Sequence, residues 1–341
     1  MKTSDMAQMA EDSAQKIPFK LRLKAWWEGY DPQDLARLEA THAAAKPAPA
    51  PRKPPQKDAP PPPPTDPESG LPVDPWDKSR IDVAQYIWGP GYCGPGGPEH
   101  IIAMSKLLTL NSELSMADIG AGLGGPARTL AEEFGVWMTG YEQSQALVAA
   151  GNELSTMAGM AKKANIQHFA PGPDFKFDRR YDRALLKETL HGIEDKMDLL
   201  QKLEDAIKPE GLVLIIDYVL GNDAVVASAD YRAWREGEPH QVFMVTQEEL
   251  ADVVNKAGFS LRVNEDQSEA QIELITRAWK GVDQVAAKLV EDPDERHLVD
   301  TLLKEAELWA RRVAMLQSGK LKLVRMLGAK REKKPGMMSN W

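Results

Sequence analysis

The chain is poor in cysteine, in excess positive charge and in long apolar runs, and each shortage excludes something. Its 341 residues include one cysteine, Cys93, too few for a disulfide framework or a cysteine-ligated zinc site and suited to a reducing cytoplasm. No run of roughly 18 apolar residues occurs, so no membrane-spanning helix is expected. Lys and Arg number 42 against 51 Asp and Glu, a net charge of −9, which argues against the basic face of a nucleic-acid enzyme. No His, Cys, Asp or Glu cluster has metal-ligand spacing, and no metal is expected. The first residues, with Asp5, Glu11 and Asp12 and no apolar core behind a basic start, do not read as a secretory signal.

Proline, in contrast, is plentiful but unevenly placed. Residues 42–75 carry Ala-Pro repeats and the run at 60–64, a composition that predicts a disordered, extended linker. Ahead of it, residues 1–41 hold Phe19, Trp26 and Trp27 among Lys20, Arg22 and Lys24. This basic-aromatic piece reads as a docking segment, for a membrane interface, for a partner or for the chain's own domain. Residues 76–265 alternate helix-like and strand-like patterns. They predict one α/β domain with a mostly parallel, doubly wound Rossmann-like sheet. From 266 to 328 the apolar positions recur at helical spacing, predicting long helices that cap the site or form a homodimer surface. Residues 329–341 read as a basic tail.

The most informative stretch is 116–142, MADIGAGLGGPARTLAEEFGVWMTGYE. It predicts a buried strand through Asp118, a turn carrying Gly120, Gly122, Gly124 and Gly125, a helix, and a second strand closing on Glu142. Glycines there permit positive φ and let a ligand lie against bare backbone. An acid roughly 20 residues after the first glycine suits the two hydroxyls of a ribose. A nucleoside cofactor is the expectation. The order D-x-G-x-G-x-G-G resembles motif I of class I S-adenosylmethionine (SAM)-dependent methyltransferases, and Lys208-Pro209-Glu210-Gly211 before an apolar run resembles the turn ahead of that family's fifth strand. The resemblance implies SAM as cofactor, held by Asp118, the four glycines, Glu142, Gln143 and Lys187. Tyr86, Tyr92, Gly96 and Gly97 sit in and before a Gly/Pro-rich loop, where aromatic faces suit a sulfonium as a lid or simply fill the core.

A narrower resemblance runs from about 81 to 279. The loop ending Gly96-Gly97, motif I, Asp217-Tyr218, and then Tyr231, Arg235 and the run from Val245 to Glu249 follow the order of the phosphoethanolamine N-methyltransferases. By position it implies a catalytic His191, and a substrate site of Tyr218, Tyr231 and Arg235, with Trp76 about where the family has a tyrosine. Lys187 stands where the family has an acid, beside Glu188. Imidazole suits removal of an ammonium proton near neutral pH.

Three readings follow. The first is methyl transfer to a small or lipid-linked amine, phosphoethanolamine-like. The second is an O- or C-methyltransferase for an apolar, quinone-like or lipid acceptor, brought to a membrane by residues 1–41. The third is a non-catalytic SAM-binding scaffold. The second predicts that deleting residues 1–40 lowers turnover of a membrane-borne acceptor and spares SAM affinity. Unchanged turnover would remove the targeting role.

Overall fold

The computed structural model describes residues 73–332. The expected docking segment at 1–41 and the linker at 42–75 lie outside these residues, apart from 73–75, as does the tail beyond 332. Seven strands form one sheet: β1 (Ser115–Ile119), β2 (Trp137–Glu142), β3 (Ala164–His168), β4 (Tyr181–Lys187), β5 (Ile207–Leu220), β6 (Phe259–Asp266) and β7 (Leu321–Lys330). Their order is β3-β2-β1-β4-β5-β7-β6. The first five strands pair in parallel, and β7 enters antiparallel between β5 and β6. The chain runs outward from β1 and then returns to its other side as β4, so β1 and β4 flank the point where strand order reverses. In open sheets of this kind ligands bind beyond the carboxyl ends at that point.

Local chemistry explains the elements around it. All five residues of β1 are buried, the mark of a parallel strand covered on both faces. Helix α1 (Lys78–Trp88) starts at Asp77, whose carboxylate accepts from the Arg80 N–H. Helix α2 spans Gly97–Ser105 and α3 spans Gly125–Phe134, each with proline in its first turn. Ser144 caps α4 (Gln145–Met157), Asp195 caps α5 (Lys196–Ala206), and Ser228 caps α6 (Ala229–Gly237). Thr246 and Glu249 make a full capping box on α7 (Gln247–Lys256). Helix α8 (Ser268–Trp279) follows β6.

Residues 283–311 form a compact unit of their own, covering most of α9 (Val282–Glu291) and the first part of α10 (Leu298–Gln317). Within it the Trp309 indole donates to Glu305 and the Arg311 guanidinium to Glu307.

One expectation is overturned. The apolar spacing predicts a helical extension through 328 and a basic tail from 329, yet residues 321–330 form β7, and Arg325 and Lys330 lie on a strand inside the sheet. A strand with neighbours on both sides carries a near-continuous apolar run, here Leu323, Val324, Met326 and Leu327, which periodicity does not separate from a buried helix. The α/β domain is therefore discontinuous in sequence.

The core beneath the site includes Ala117, Ile119, Leu186, Ile215, Val219 and Val324, all wholly buried. Ile215→Ala should lower unfolding free energy by about 2–5 kcal/mol, as buried aliphatic truncations do, measurable by urea titration. A loss under about 1 kcal/mol would mean that this layer is loosely packed.

Candidate active site

The glycine turn after β1 is built so that no other residue fits. Gly120, Gly122 and Gly124 have φ of 80°, 56° and 74°, in the left-handed region. A Cβ on Gly120 would collide with the Thr189 hydroxyl, and one on Gly122 would lie 2.5 Å from the Cys93 sulfur. Gly125, in the first turn of α3, faces Gly91 and the ring of Tyr92. The loop bearing Gly89, Gly91, Gly96 and Gly97, all at positive φ, thus crosses the turn. It is fastened by the Tyr92 hydroxyl, 2.6 Å from Thr129 Oγ1.

The acids of the turn are placed for a ligand. Glu142 accepts the Gly122 N–H on Oε2 at 2.8 Å and the Ser144 N–H on Oε1 at 3.0 Å. Burial raises its carboxyl, and the N–H groups of Ser144, Gly122 and Gln143 oppose that rise. A carboxylate has about four acceptor positions, so with three N–H groups on it capacity for a further hydroxyl is left. Asp118 is buried with Oδ2 lacking any partner. Desolvation pushes it up to about 7, Lys187 opposing and Glu142 adding to the rise. Bare backbone, an acid with spare acceptor capacity and an orphaned buried carboxylate fit the aminoacyl nucleoside SAM. Gln143 is exposed and lends its N–H to Glu142. Tyr86 is 47% exposed, on the outward side of α1. Trp76 stacks under the Arg80 guanidinium at 4.1 Å and packs with Ile81, Leu123, Leu147 and Cys93, on the cofactor side of the turn.

Lys187 ends β4 with its ammonium 2.5 Å from Glu188 Oε1, and Glu188 is held at φ 53°. The pair carries no net charge, which removes the repulsion that a lone lysine would exert on an ammonium. Next comes a 3-10 turn, Leu190–Gly192, that holds His191, 4% exposed, with Nδ1 2.7 Å from Asp217 Oδ1. Burial would raise the Asp217 carboxyl; the His191 ring and the N–H groups of Thr189 and Leu190 outweigh it and hold it below the usual range. Asp217 is therefore an acceptor, and His191 carries its proton on Nδ1. Tyr218 stands edge-on to the His191 ring at 5.6 Å and accepts from the Gln271 amide at 3.0 Å.

Four groups beyond those read from the sequence complete the cleft. His240 Nε2 lies 3.3 Å from His191 Nε2. Arg312 lies 5.9 Å from the Tyr218 ring centre and forks onto Glu238, at 3.0 and 2.6 Å. The fourth is Gln271. None has a sequence signature: 238–245, with Glu238 and His240, matches no regular period, and Gln271 and Arg312 are single polar positions on the helices α8 and α10. Of the expected substrate residues, Tyr218 joins this cluster. Tyr231 packs on Trp234 at 5.5 Å, with Arg235 near enough to oppose the burial-driven rise of its phenol. Among the described residues no group of His, Cys, Asp and Glu could hold a metal, and no helix is long and apolar enough to cross a membrane.

Comparison with known proteins agrees with this geometry. A methyltransferase-domain family profile matches residues 101–263. Phosphoethanolamine N-methyltransferase 2 of Caenorhabditis elegans is 28% identical over 191 residues, 54% of this chain and 41% of that protein. The phosphoethanolamine N-methyltransferase of Plasmodium falciparum is 27% identical over 202 residues, 57% of this chain and 72% of that protein. The chain thus spans under half of the nematode relative. A solved Haemonchus contortus phosphoethanolamine N-methyltransferase 2, bound to phosphomonomethylethanolamine and S-adenosylhomocysteine, shares the fold with TM-score 0.64 at 21% identity, covering 74% of this chain and 57% of that one.

Two predictions follow from the turn. Glu142→Ala should weaken SAM binding at least tenfold by calorimetry, since it removes the charged acceptor proposed for the ribose; unchanged affinity would place the ribose elsewhere. Asp118 binds its proton more tightly when folded, so the stability it confers is full below the ordinary carboxylate range and is lost as pH rises through about 7. Asp118→Asn, which cannot ionise, should therefore gain on the unsubstituted chain in SAM-free unfolding between pH 4 and 8, by on the order of a few kcal/mol. Parallel pH curves would show that Asp118 is solvated.

The fold, the nucleoside cradle and the methyltransferase-domain profile over residues 101–263 agree: this part of the chain is similar to class I, S-adenosylmethionine-dependent methyltransferases, and in sequence to phosphoethanolamine N-methyltransferases.

Proposed function

We propose that the chain methylates the nitrogen of a small or lipid-linked amine, phosphoethanolamine-like. The observation that carries this reading is the buried His191–Asp217 pair beyond β4 and β5, 2.7 Å apart, at the carboxyl edge where the glycine turn also opens. SAM, when bound, supplies a methyl group already activated by its sulfonium. The acceptor then needs a free electron pair, and an ammonium has none until it loses a proton. A neutral imidazole fixed by a carboxylate is the group to take that proton.

Other residues bind and orient. The neutral Lys187–Glu188 pair lets a cation approach, and the Tyr218 ring packs beside His191. Tyr231 and Arg235, on α6, are the groups proposed to hold the far end of the acceptor, with the guanidinium suited to an anionic one. The relatives whose names record phosphoethanolamine as acceptor support this choice.

Labelled methyl from SAM should enter phosphoethanolamine, or the soluble amine and phospholipid fractions of a cell extract. Label confined to neutral apolar lipid would favour an O- or C-methyltransferase instead. His191→Ala should lower kcat about 10²- to 10³-fold at neutral pH with SAM affinity unchanged. Equal loss of both would make His191 structural.

A further inference from the structure

His191 is buried and its second nitrogen is taken. With the proton on Nδ1 committed to Asp217, the neutral ring has one lone pair, on Nε2. That lone pair faces His240 Nε2 at 3.3 Å, so His240 carries its own proton on Nε2 and donates it. His240 thereby keeps its lone pair on Nδ1, and its side chain is exposed where His191 is only 4% exposed. Of the two residues His240 is the more accessible.

We infer that His240 is the group that takes the proton from the acceptor ammonium and relays it to the His191–Asp217 pair. This rests on the amine reading above. The ammonium N–H bond breaks and leaves its electron pair on nitrogen while Nδ1–H forms on His240. At the same time the Nε2–H bond of His240 breaks and Nε2–H forms on His191. His240 ends neutral as its other tautomer, and His191 ends as an imidazolium beside the Asp217 carboxylate. The reverse shuttle returns the proton to water after methyl transfer. No other reagent is needed.

The surroundings favour this division of labour. Charge is best placed on His191, next to Asp217, a carboxylate held ionised by its five hydrogen bonds from Thr189 N, Leu190 N, His191 N, His191 Nδ1 and Tyr218 N. It is worst placed on His240. Desolvation, then His191, Arg312 and Arg80, hold that imidazole below its usual range, with Glu238 alone opposing them. A relay ring should stay uncharged, and these surroundings keep it so.

The loop is held in register by contacts independent of catalysis. The Phe243 N–H donates to the His191 carbonyl at 2.7 Å, and Lys196 donates to the carbonyls of Phe243 and Ile193. Glu238, two residues before His240, is clamped by Arg312. A Cβ on Gly192 would lie 3.2 Å from the His240 ring, so the turn next to His191 leaves space for it.

The test uses the full chain with phosphoethanolamine and saturating SAM. His240→Ala should lower kcat about 10²-fold with SAM affinity unchanged, and should flatten the pH dependence of kcat. Added imidazole should restore about tenfold of that loss, because the vacated position opens to solvent, and should do nothing for His191→Ala, whose position does not. Nitrogen-detected NMR of the unsubstituted chain should show His191 protonated on Nδ1 and His240 on Nε2. His240 protonated on Nδ1 would overturn the relay, as would kcat within about threefold in His240→Ala. His240→Asn, which keeps a polar side chain on the loop, guards against misfolding: loss of SAM binding in that variant too would make the residue structural and overturn the proposal. An unsubstituted chain that methylates no amine would instead overturn the amine reading itself.

Discussion

Asp217 is the constraint from which the site follows. It is wholly buried at the carboxyl end of β5, and a bare carboxylate there would cost several kcal/mol. Its oxygens are satisfied by backbone of the turn after β4, by the His191 ring and by the N–H of Tyr218. The turn cannot move without stranding that charge. One residue thus fixes the end of β4 against the end of β5, sets the tautomer of His191 and places Tyr218 alongside.

The cofactor half of the cleft rests on a different principle, the removal of side chains. Thr189 presses against Gly120, Cys93 against Gly122 and Tyr92 against Gly125, so the turn is compressed from three sides and only glycine meets the space. Thr189 belongs to both halves. Its N–H goes to Asp217 and its hydroxyl to the Ile119 carbonyl at 3.0 Å, which couples the nucleoside cradle to the proton-handling pair through one side chain.

The third part is the loop from Glu238 to Val245. Arg312 and Glu238 form a fork whose burial is tolerated because charge and hydrogen bonds are both matched. Holding the Arg312 charge on Glu238 keeps an unpaired cation away from Tyr218 and His191. The Lys187–Glu188 pair does the same on the opposite side. The cleft is thereby lined with charges already paired, which leaves the His191–His240 axis to respond to a proton.

The parallel half of the sheet, the glycine turn, Glu142 and the position of His191 were legible from sequence, because each is local. An apolar run, a positive-φ glycine and a capping residue state their structure within a few positions. Trp76 and Lys187 were legible as residue types, yet their surroundings, an arginine stacked on one and a glutamate neutralising the other, were not. Strand β7 was hidden because a strand buried on both faces has no alternation to read. His240, Glu238, Gln271 and Arg312 were hidden for a different reason: they are 47 to 121 residues from His191 in sequence and meet only when the chain returns over the edge of the sheet. Sequence by itself determined which cofactor the first half of the domain is built to hold, since that site is made of consecutive backbone. Tertiary structure alone decided which histidine nitrogens meet Asp217 and each other, since that depends on hydrogen bonds between segments far apart in the chain.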